Sequence, residues 1–208
     1  MQQQPSLFGV VATDPTPEDL AGLLAGPGEL SRLGGTARVS VPVADGWRVH
    51  VLMSEFAARS LPASWEGGEA GYVVRTAYTT RLIRLADAWR DGPPAGLHLH
   101  GQVLRLWVAA AGVAGPDGYL LGLNAARQSD WPPLGGALAA AGLAAALVAS
   151  GTPEAPAYRI TGRKRLARLA ELVGDRPAAA PADRWPSPPA VPTPAPRRAP
   201  PAPRPPSP

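Results

Sequence analysis

The chain has 208 residues, enough for one ordinary domain, or two small repeats sharing a core, with a tail. It contains no cysteine, which excludes disulfides, thiolate metal sites and thiol nucleophiles. The formal net charge of +4 divides unevenly: residues 175–208 carry five Arg and two Asp, which leaves 15 basic and 14 acidic residues before them. The folded part is therefore close to neutral, and any nucleic-acid contact depends on where its charges lie.

The N-terminal residues do not have the pattern of a secretory signal. MQQQPSLFGVVATDP has neither a basic start nor a long apolar run, so we expect a cytoplasmic protein with an extension over residues 1–13. The uncharged stretch between Asp130 and Glu154 is mostly Ala and Gly, which is too weakly apolar to favour a membrane span. It predicts a buried helix instead.

The first half begins with a helix. Thr16 is a typical N-cap followed by Pro17 and two acids, and Gly26-Pro27-Gly28 ends the helix. Asp45-Gly46 predicts a hairpin between two strands. The elements that we expect are strands at 36–43 and 46–53, a helix at 54–65, a strand at 72–78 and a helix at 79–90.

The second half repeats this order with fewer strands. We expect a helix at 103–111, a strand at 118–124, a helix at 134–149, a strand at 157–161 and a helix at 163–173.

From about Asp175 the composition changes, with 14 prolines in 34 positions and no apolar periodicity. Such a segment buries too little apolar surface to offset its ordering entropy, so we expect a disordered tail, locally polyproline II, over 175–208. The folded unit is expected to end near Gly174. Arg197-x-x-Pro200-x-x-Pro203 matches an SH3-type ligand pattern and is a candidate protein-binding site, although a plain spacer would also contain it.

An internal repeat relates the two halves at a single spacing of 84 residues. RLIRLAD at 81–87 aligns with RLARLAE at 165–171, and the same offset pairs Arg75 with Arg159. Further along, it pairs LAGLLAGPG at 20–28 with LRLWVAAAG at 104–112. We therefore predict two repeats, at 14–92 and 93–174.

LAGLLAGPG, the element order and the repeat length together resemble the LAGLIDADG homing-endonuclease family. The closer likeness is to the nuclease-dead, WhiA-type regulators of actinobacteria, because the run from Arg105 to Gly112, followed by Pro116-Asp117-Gly118-Tyr119, is similar to their second motif. The resemblance implies an α+β fold of two pseudo-symmetric repeats. Their signature helices, here 20–28 and 104–112, would pack together, and their antiparallel strands would form a saddle on double-stranded DNA. WhiA-type proteins continue into a helix-turn-helix domain, whereas here the proline-rich tail follows.

The resemblance also indicates what chemistry is missing. Active family members end each signature helix with an aspartate, and the pair holds divalent metal for phosphodiester hydrolysis. Pro27 and Ala111 stand at the matching positions, and the nearby acids Asp19, Glu29 and Asp117 are not related by the 84-residue offset. We therefore expect no catalytic residue, no metal ligand and no cofactor. The small residues that remain would let the two helices approach closely: Ala21, Gly22, Ala25, Ala109, Ala110 and Ala111.

Basic residues on the predicted strands and last helices are the candidate DNA contacts, since phosphate contact needs only a cation on an accessible face. On the last helix, a solvated helix face is the alternative reading. The candidates are Arg38, Arg48, Arg75, Arg81, Arg84, Arg159, Arg163, Lys164, Arg165 and Arg168.

Histidine and tryptophan have simpler interpretations. His98 and His100, with His50, invite a metal reading, but no further ligand is set by spacing, so we favour a loop pair without metal. Five tryptophans are expected to be core or half-buried anchors, Trp107 being buried in a signature helix; the five are Trp47, Trp65, Trp89, Trp107 and Trp131.

The leading hypothesis is a non-catalytic DNA-binding or regulatory protein. The alternative is a protein-interaction module on the same fold, with no DNA binding, and the third is a residual DNA endonuclease. An arginine stripe along the sheets would favour the first hypothesis, and interleaved acids would favour the second.

Overall fold

The chain folds into two four-stranded antiparallel sheets and six helices around one connected hydrophobic core, counted over the residues that the structure describes. This computed structural model describes residues 14–69, 71–148 and 156–187. Its mixed helices and antiparallel sheets confirm the α+β class expected from the sequence. No helix in the three described ranges is long and apolar enough to cross a membrane.

The first half runs helix, hairpin, helix, hairpin, helix. Its elements are α1 (Ala21–Ala25), β1 (Glu29–Leu33), β2 (Thr36–Val43), α2 (Gly46–Ala58), β3 (Ala63–Gly68), β4 (Gly71–Thr76) and α3 (Ile83–Ala88). Short 3₁₀ turns at Pro17–Leu20 and Thr80–Leu82 lead into α1 and α3. The strands pair in the order β1-β2-β4-β3.

The second half repeats this order element by element. Its elements are α4 (Gly101–Ala111), β5 (Gly112–Gly115), β6 (Gly118–Gly122), α5 (Trp131–Ala140), β7 (Ala146–Val148), β8 (Ala157–Ile160) and α6 (Arg163–Val173). The strands pair in the order β5-β6-β8-β7, which is the order of the first sheet. The two halves therefore have the same connectivity, which corresponds to the repeat in the sequence.

The two signature helices, α1 and α4, pack closely against each other. Leu23 and Trp107, which the 84-residue offset pairs, are both fully buried. A Cβ atom at Gly22 would lie only 1.9 Å from the carbonyl oxygen of Val103, so a residue with a side chain does not fit there. The small residues of the signature thus serve helix packing, and Trp107 is buried as expected.

The expected strand at 46–53 is wrong, because these residues form the start of α2. Asp45 is the N-cap of this helix and not part of a hairpin. Val49, Leu52 and Phe56 recur at helical spacing and are buried, and this packing overrides the alternating pattern of the segment. The hairpin lies earlier, at Gly34-Gly35 between β1 and β2, where Gly34 has a φ of 57°.

The expected helix at 134–149 is too long. Helix α5 ends at Ala140, and Gly142 follows with a φ of 78°, a backbone conformation that favours glycine. The chain then forms β7, which pairs with β8. Likewise, the expected helix at 54–65 ends at Ala58, and its last residues belong to β3.

Residues 175–187, which the composition assigns to a disordered tail, pack against the second half and correct that assignment for this segment. Trp185 is 3% exposed and Ala180 is 1% exposed. The indole of Trp185 donates to the carbonyl oxygen of Gly174, and the hydroxyl of Tyr119 donates to that of Arg184 at 3.0 Å. The folded unit therefore continues past Gly174. Residues 188–208, including the SH3-type pattern, lie outside the described residues.

Candidate nucleic-acid interface

Each sheet has a buried face and an open face. Along β2, Ala37, Val39, Val41 and Val43 are buried beneath the helices, and the residues between them are partly or fully exposed. This period of two is expected for a sheet that is covered on one side. The open faces are the surfaces that a saddle would present to a ligand.

Acids lie between the arginines on the open face of the first sheet. Ser40 is paired with Glu29 on one side and with Arg75 on the other, so these residues form one row across the sheet. Arg75 Nη1 lies 2.6 Å from Glu66 Oε2 of the neighbouring strand. The hydrogen bond from Arg75 is the main cause that lowers the pKa of Glu66, and Arg38 contributes as well. This face has no continuous arginine stripe.

Arg38 is held on the same face by an aromatic ring. Its guanidinium carbon lies 4.7 Å from the ring centre of Tyr78. Its buried Nε is the one buried side-chain nitrogen or oxygen of the described residues that has no hydrogen-bond partner. The stacked guanidinium is therefore held in place, and its Nε–H group still has a hydrogen bond to donate.

The open face of the second sheet is mostly apolar. Leu120 of β6 is paired with Val113 and with Arg159, and Arg159 is paired in turn with Ala146. Arg159 is the one charged residue that the described strands place on this face.

Positive charge continues from β8 into α6. Arg163, Lys164 and Arg165 are exposed in the first turn of the helix, and Arg168 is exposed one turn later. Arg165 donates to the carbonyl oxygen of Thr161, and Arg168 Nη1 lies 3.4 Å from Glu171 Oε2. The stretch 157–173 thus contains five basic residues and one acid, the densest positive charge of the folded part.

The corresponding arginines of the first half are placed differently. Arg81 lies in the 3₁₀ turn before α3 and donates to the carbonyl oxygen of Ser60 at 2.7 Å. Arg84 lines a shallow cleft with Glu18 and His98. The structure therefore does not bring the ten basic candidates together as one two-fold set.

Arg48 is not a strand residue on an open face, and its assignment as a DNA contact is wrong. It lies in α2, is 4% exposed and reaches the C-terminal end of α4. Its guanidinium donates to the carbonyl oxygens of Val108 at 3.2 Å, Ala109 at 2.9 Å and Gly112 at 2.6 Å. Burial is the main cause that lowers its pKa, and Asp45 opposes the shift. The charge serves to cap a helix.

The ends of the signature helices do not fit a divalent metal. Pro27 and Ala111 carry no side-chain donor, and the guanidinium of Arg48 already occupies carbonyl oxygens at the end of α4. Among the described residues, no three His, Cys, Asp or Glu side chains are grouped so as to hold a metal ion.

The histidine pair lies in the loop before α4. The ring centres of His98 and His100 are 6.1 Å apart, and His100 Nε2 lies 3.6 Å from Asp19 Oδ1. Burial lowers the pKa of His100 below its usual value, although Asp19 acts in the opposite direction.

A buried ion-pair cluster that the sequence does not predict lies beside α1 and α4. Arg59 is 1% exposed and donates to Asp19 Oδ2 at 3.1 Å, to Glu55 Oε2 at 2.7 Å and to Gln102 Oε1 at 3.0 Å. Arg105 of α4 donates to the other oxygen of Glu55 at 2.7 Å. The spacing of Glu55 and Arg59 was the available local signal. The cluster is structural, since its charges pair with one another.

The paired signature helices over two open-faced sheets define a LAGLIDADG-like fold. The chain is similar to the homing endonuclease I-WcaI bound to its DNA recognition sequence, with 11% identity, a TM-score of 0.50, and coverage of 83% of this chain and 89% of that one. It is also similar to the N-terminal LAGLIDADG domain of DUF199/WhiA, with 11% identity, a TM-score of 0.51, and coverage of 85% and 94%. At this identity the likeness shows the fold alone. No protein-family model and no curated protein matches the chain.

Proposed function

We propose that this chain is a non-catalytic DNA-binding or regulatory protein whose phosphate contacts are concentrated on its second half. The observation that carries the proposal is the basic stretch 157–173. In this stretch Arg159 lies on an open sheet face, and the basic residues of the first turn of α6, which are exposed, follow it directly. Cations on an accessible surface attract the DNA backbone without reading its sequence. A solved structure of the same fold bound to its DNA recognition sequence supports double-stranded DNA as the partner.

The ends of α1 and α4 support the non-catalytic part of the proposal. Pro27 and Ala111 supply no carboxylate, and Arg48 adds a positive charge where a metal-dependent nuclease needs negative ligands. We therefore expect this chain to bind DNA without a metal ion.

Fluorescence anisotropy of the full chain with a labelled random duplex, across a salt series in EDTA, tests the proposal. We expect binding that weakens with salt, and a salt slope reduced by roughly two in the double variant Arg159→Ala/Lys164→Ala, about one per lost contact. Arg90→Ala, an exposed arginine of the first half, is the matched control and should leave the slope unchanged. Absence of binding, or equal slopes in all three proteins, would contradict the proposal. Cleavage of the duplex on adding Mg²⁺ would contradict its non-catalytic part.

The second candidate, a protein-interaction module, is favoured by the first sheet. The row of Glu29, Ser40 and Arg75 and the Glu66–Arg75 pair give that face both signs of charge, which suits a protein surface better than a phosphate backbone. If the anisotropy assay shows no DNA binding, this candidate takes the place of the first.

A further inference from the structure

A pair of aromatic rings, the exposed Trp65 and the half-buried Tyr72, lies at the outer edge of the first sheet. Trp65 of the edge strand β3 is 50% exposed, far more than the core tryptophans Trp107 and Trp89. Its ring lies edge-to-face with Tyr72 of β4, at 5.8 Å between ring centres and 68° between planes. A shallow hollow beside Tyr72 is lined by Gly67, Gly68, Gly71, Ala44 and Glu69. We name Trp65, Tyr72 and Glu69 the aromatic edge.

The described chain ends beside the β5–β6 hairpin, where Ser187 lines a hollow with Pro116 and Tyr119. The carbonyl oxygen of Arg184 accepts a hydrogen bond from Tyr119, and Arg184 acts electrostatically on Arg48 near the start of α2. Gly46, the first residue of α2, faces the hydroxyl of Tyr72, which would lie 3.7 Å from a Cβ atom placed there. Arg184 therefore acts on α2, the helix whose first residue faces Tyr72.

We propose that residues 197–203 of this same chain dock on the aromatic edge. Residues 188–208 carry three Arg and no acid, and they include Arg197-x-x-Pro200-x-x-Pro203. Proline-rich segments bind grooves lined by aromatic side chains, and an acid beside the groove suits the arginine. The β3–β4 hairpin offers the rings of Trp65 and Tyr72 with the exposed Glu69 beside Tyr72, so an aromatic surface and an acid are both available to the proline-rich, basic segment.

The tail gives residues 197–203 a long reach from the end of the described chain. Nine residues lie between Ser187 and Arg197, and the ten residue-to-residue steps would span roughly 31 Å in polyproline II. A tether of this length gives an effective concentration in the millimolar range, so a weak site is still occupied.

The indole N–H resonance of Trp65 in the ¹⁵N-labelled full chain reports on docking, and Trp65→Phe identifies it. We expect this resonance to shift in Pro200→Ala/Pro203→Ala and in Arg197→Ala, because both remove contacts with the ring. Arg198→Ala, the neighbouring arginine outside the pattern, is the matched control and should leave it in place. The indole of Trp131, which donates to the carbonyl oxygen of Asn124, should not move in any variant.

A peptide of residues 190–208 extends the test. It should bind the Pro200→Ala/Pro203→Ala chain at least ten-fold more tightly than the unchanged chain, whose own tail competes. A Trp65 resonance that is the same in all tail variants would overturn the proposal. A shift that grows with protein concentration would also overturn it, since it would assign the contact to the tail of a second copy.

Discussion

The guanidinium of Arg48 lies 2.9 Å from the carbonyl oxygen of Ala109, a residue 61 positions further along the chain. This contact links α2 of the first half to the second signature helix. It places a buried positive charge at the negative end of α4, where it also satisfies the carbonyl oxygens of Val108 and Gly112.

Replacing Arg48 by Met should therefore destabilise the fold. Three buried carbonyl oxygens would lose their donor, and we expect the free energy of unfolding to fall by about 2–4 kcal/mol. Urea unfolding followed by circular dichroism measures this. Arg90→Met, at an exposed arginine, should change stability by less than about 0.5 kcal/mol, and equal effects of the two changes would refute the capping role.

A methyl group at Gly22 should separate the signature helices. Because its Cβ atom would lie 1.9 Å from the carbonyl oxygen of Val103, we expect Gly22→Ala to cost about 3 kcal/mol or more. Gly136→Ala is the matched control, since Gly136 lies in α5 with open space around it, and should stabilise by up to about 1 kcal/mol. Thermal unfolding of the two variants should therefore move in opposite directions from the unchanged chain.

The C-terminal segment should contribute to stability. Trp185 is buried and stacks on Arg105, whose guanidinium carbon lies 5.2 Å from the ring centre, so we expect Trp185→Ala to cost about 3 kcal/mol. A chain ending at residue 174 should unfold at lower urea concentration than one ending at residue 187. Identical midpoints for the two lengths would show that the segment adds nothing to the fold.

Stability should fall as the pH drops below about 6.5. The pKa of His100 is lowered in the folded state, first by burial and then by His98 and Arg59, with Asp19 opposing. The unfolded chain takes up the proton first, so this contribution is fully present above the unfolded-state pKa and is lost as the pH falls toward the folded-state pKa. Between pH 7.5 and 5.5, the unchanged chain should lose more stability in urea unfolding than His100→Asn. Parallel curves for the two proteins would rule out this titration.

The repeat, the bounds of α6 and the missing acids are readable from the sequence. The bounds expected for α6 agree with those observed, and the 84-residue offset relates Arg75 and Arg159, which occupy corresponding strands. The sequence favours a strand at 46–53 because its valines alternate as they would in a strand, whereas the packing of Phe56 and Leu52 selects a helix.

The candidate site was less predictable because it depends on distant contacts. Arg48 bonds to residues about 60 positions away, and Glu66 meets Arg75 only after β3 and β4 pair. Nothing local distinguishes these side chains from solvated ones. The position of Trp185 likewise depends on its contact with the distant Arg105, which the proline-rich sequence around Trp185 does not indicate.

Arg105 also ties the end of the folded unit to its centre. From α4 it donates to the carbonyl oxygens of Val173 and Asp175, while its Nε pairs with Glu55 of α2. A ligand that needed the C-terminal segment to detach would bind more weakly by the free energy of those contacts, and a ligand that held the segment in place would gain from them. Through Arg105, the attachment or release of the C-terminal segment is coupled in free energy to the packed pair of helices α1 and α4.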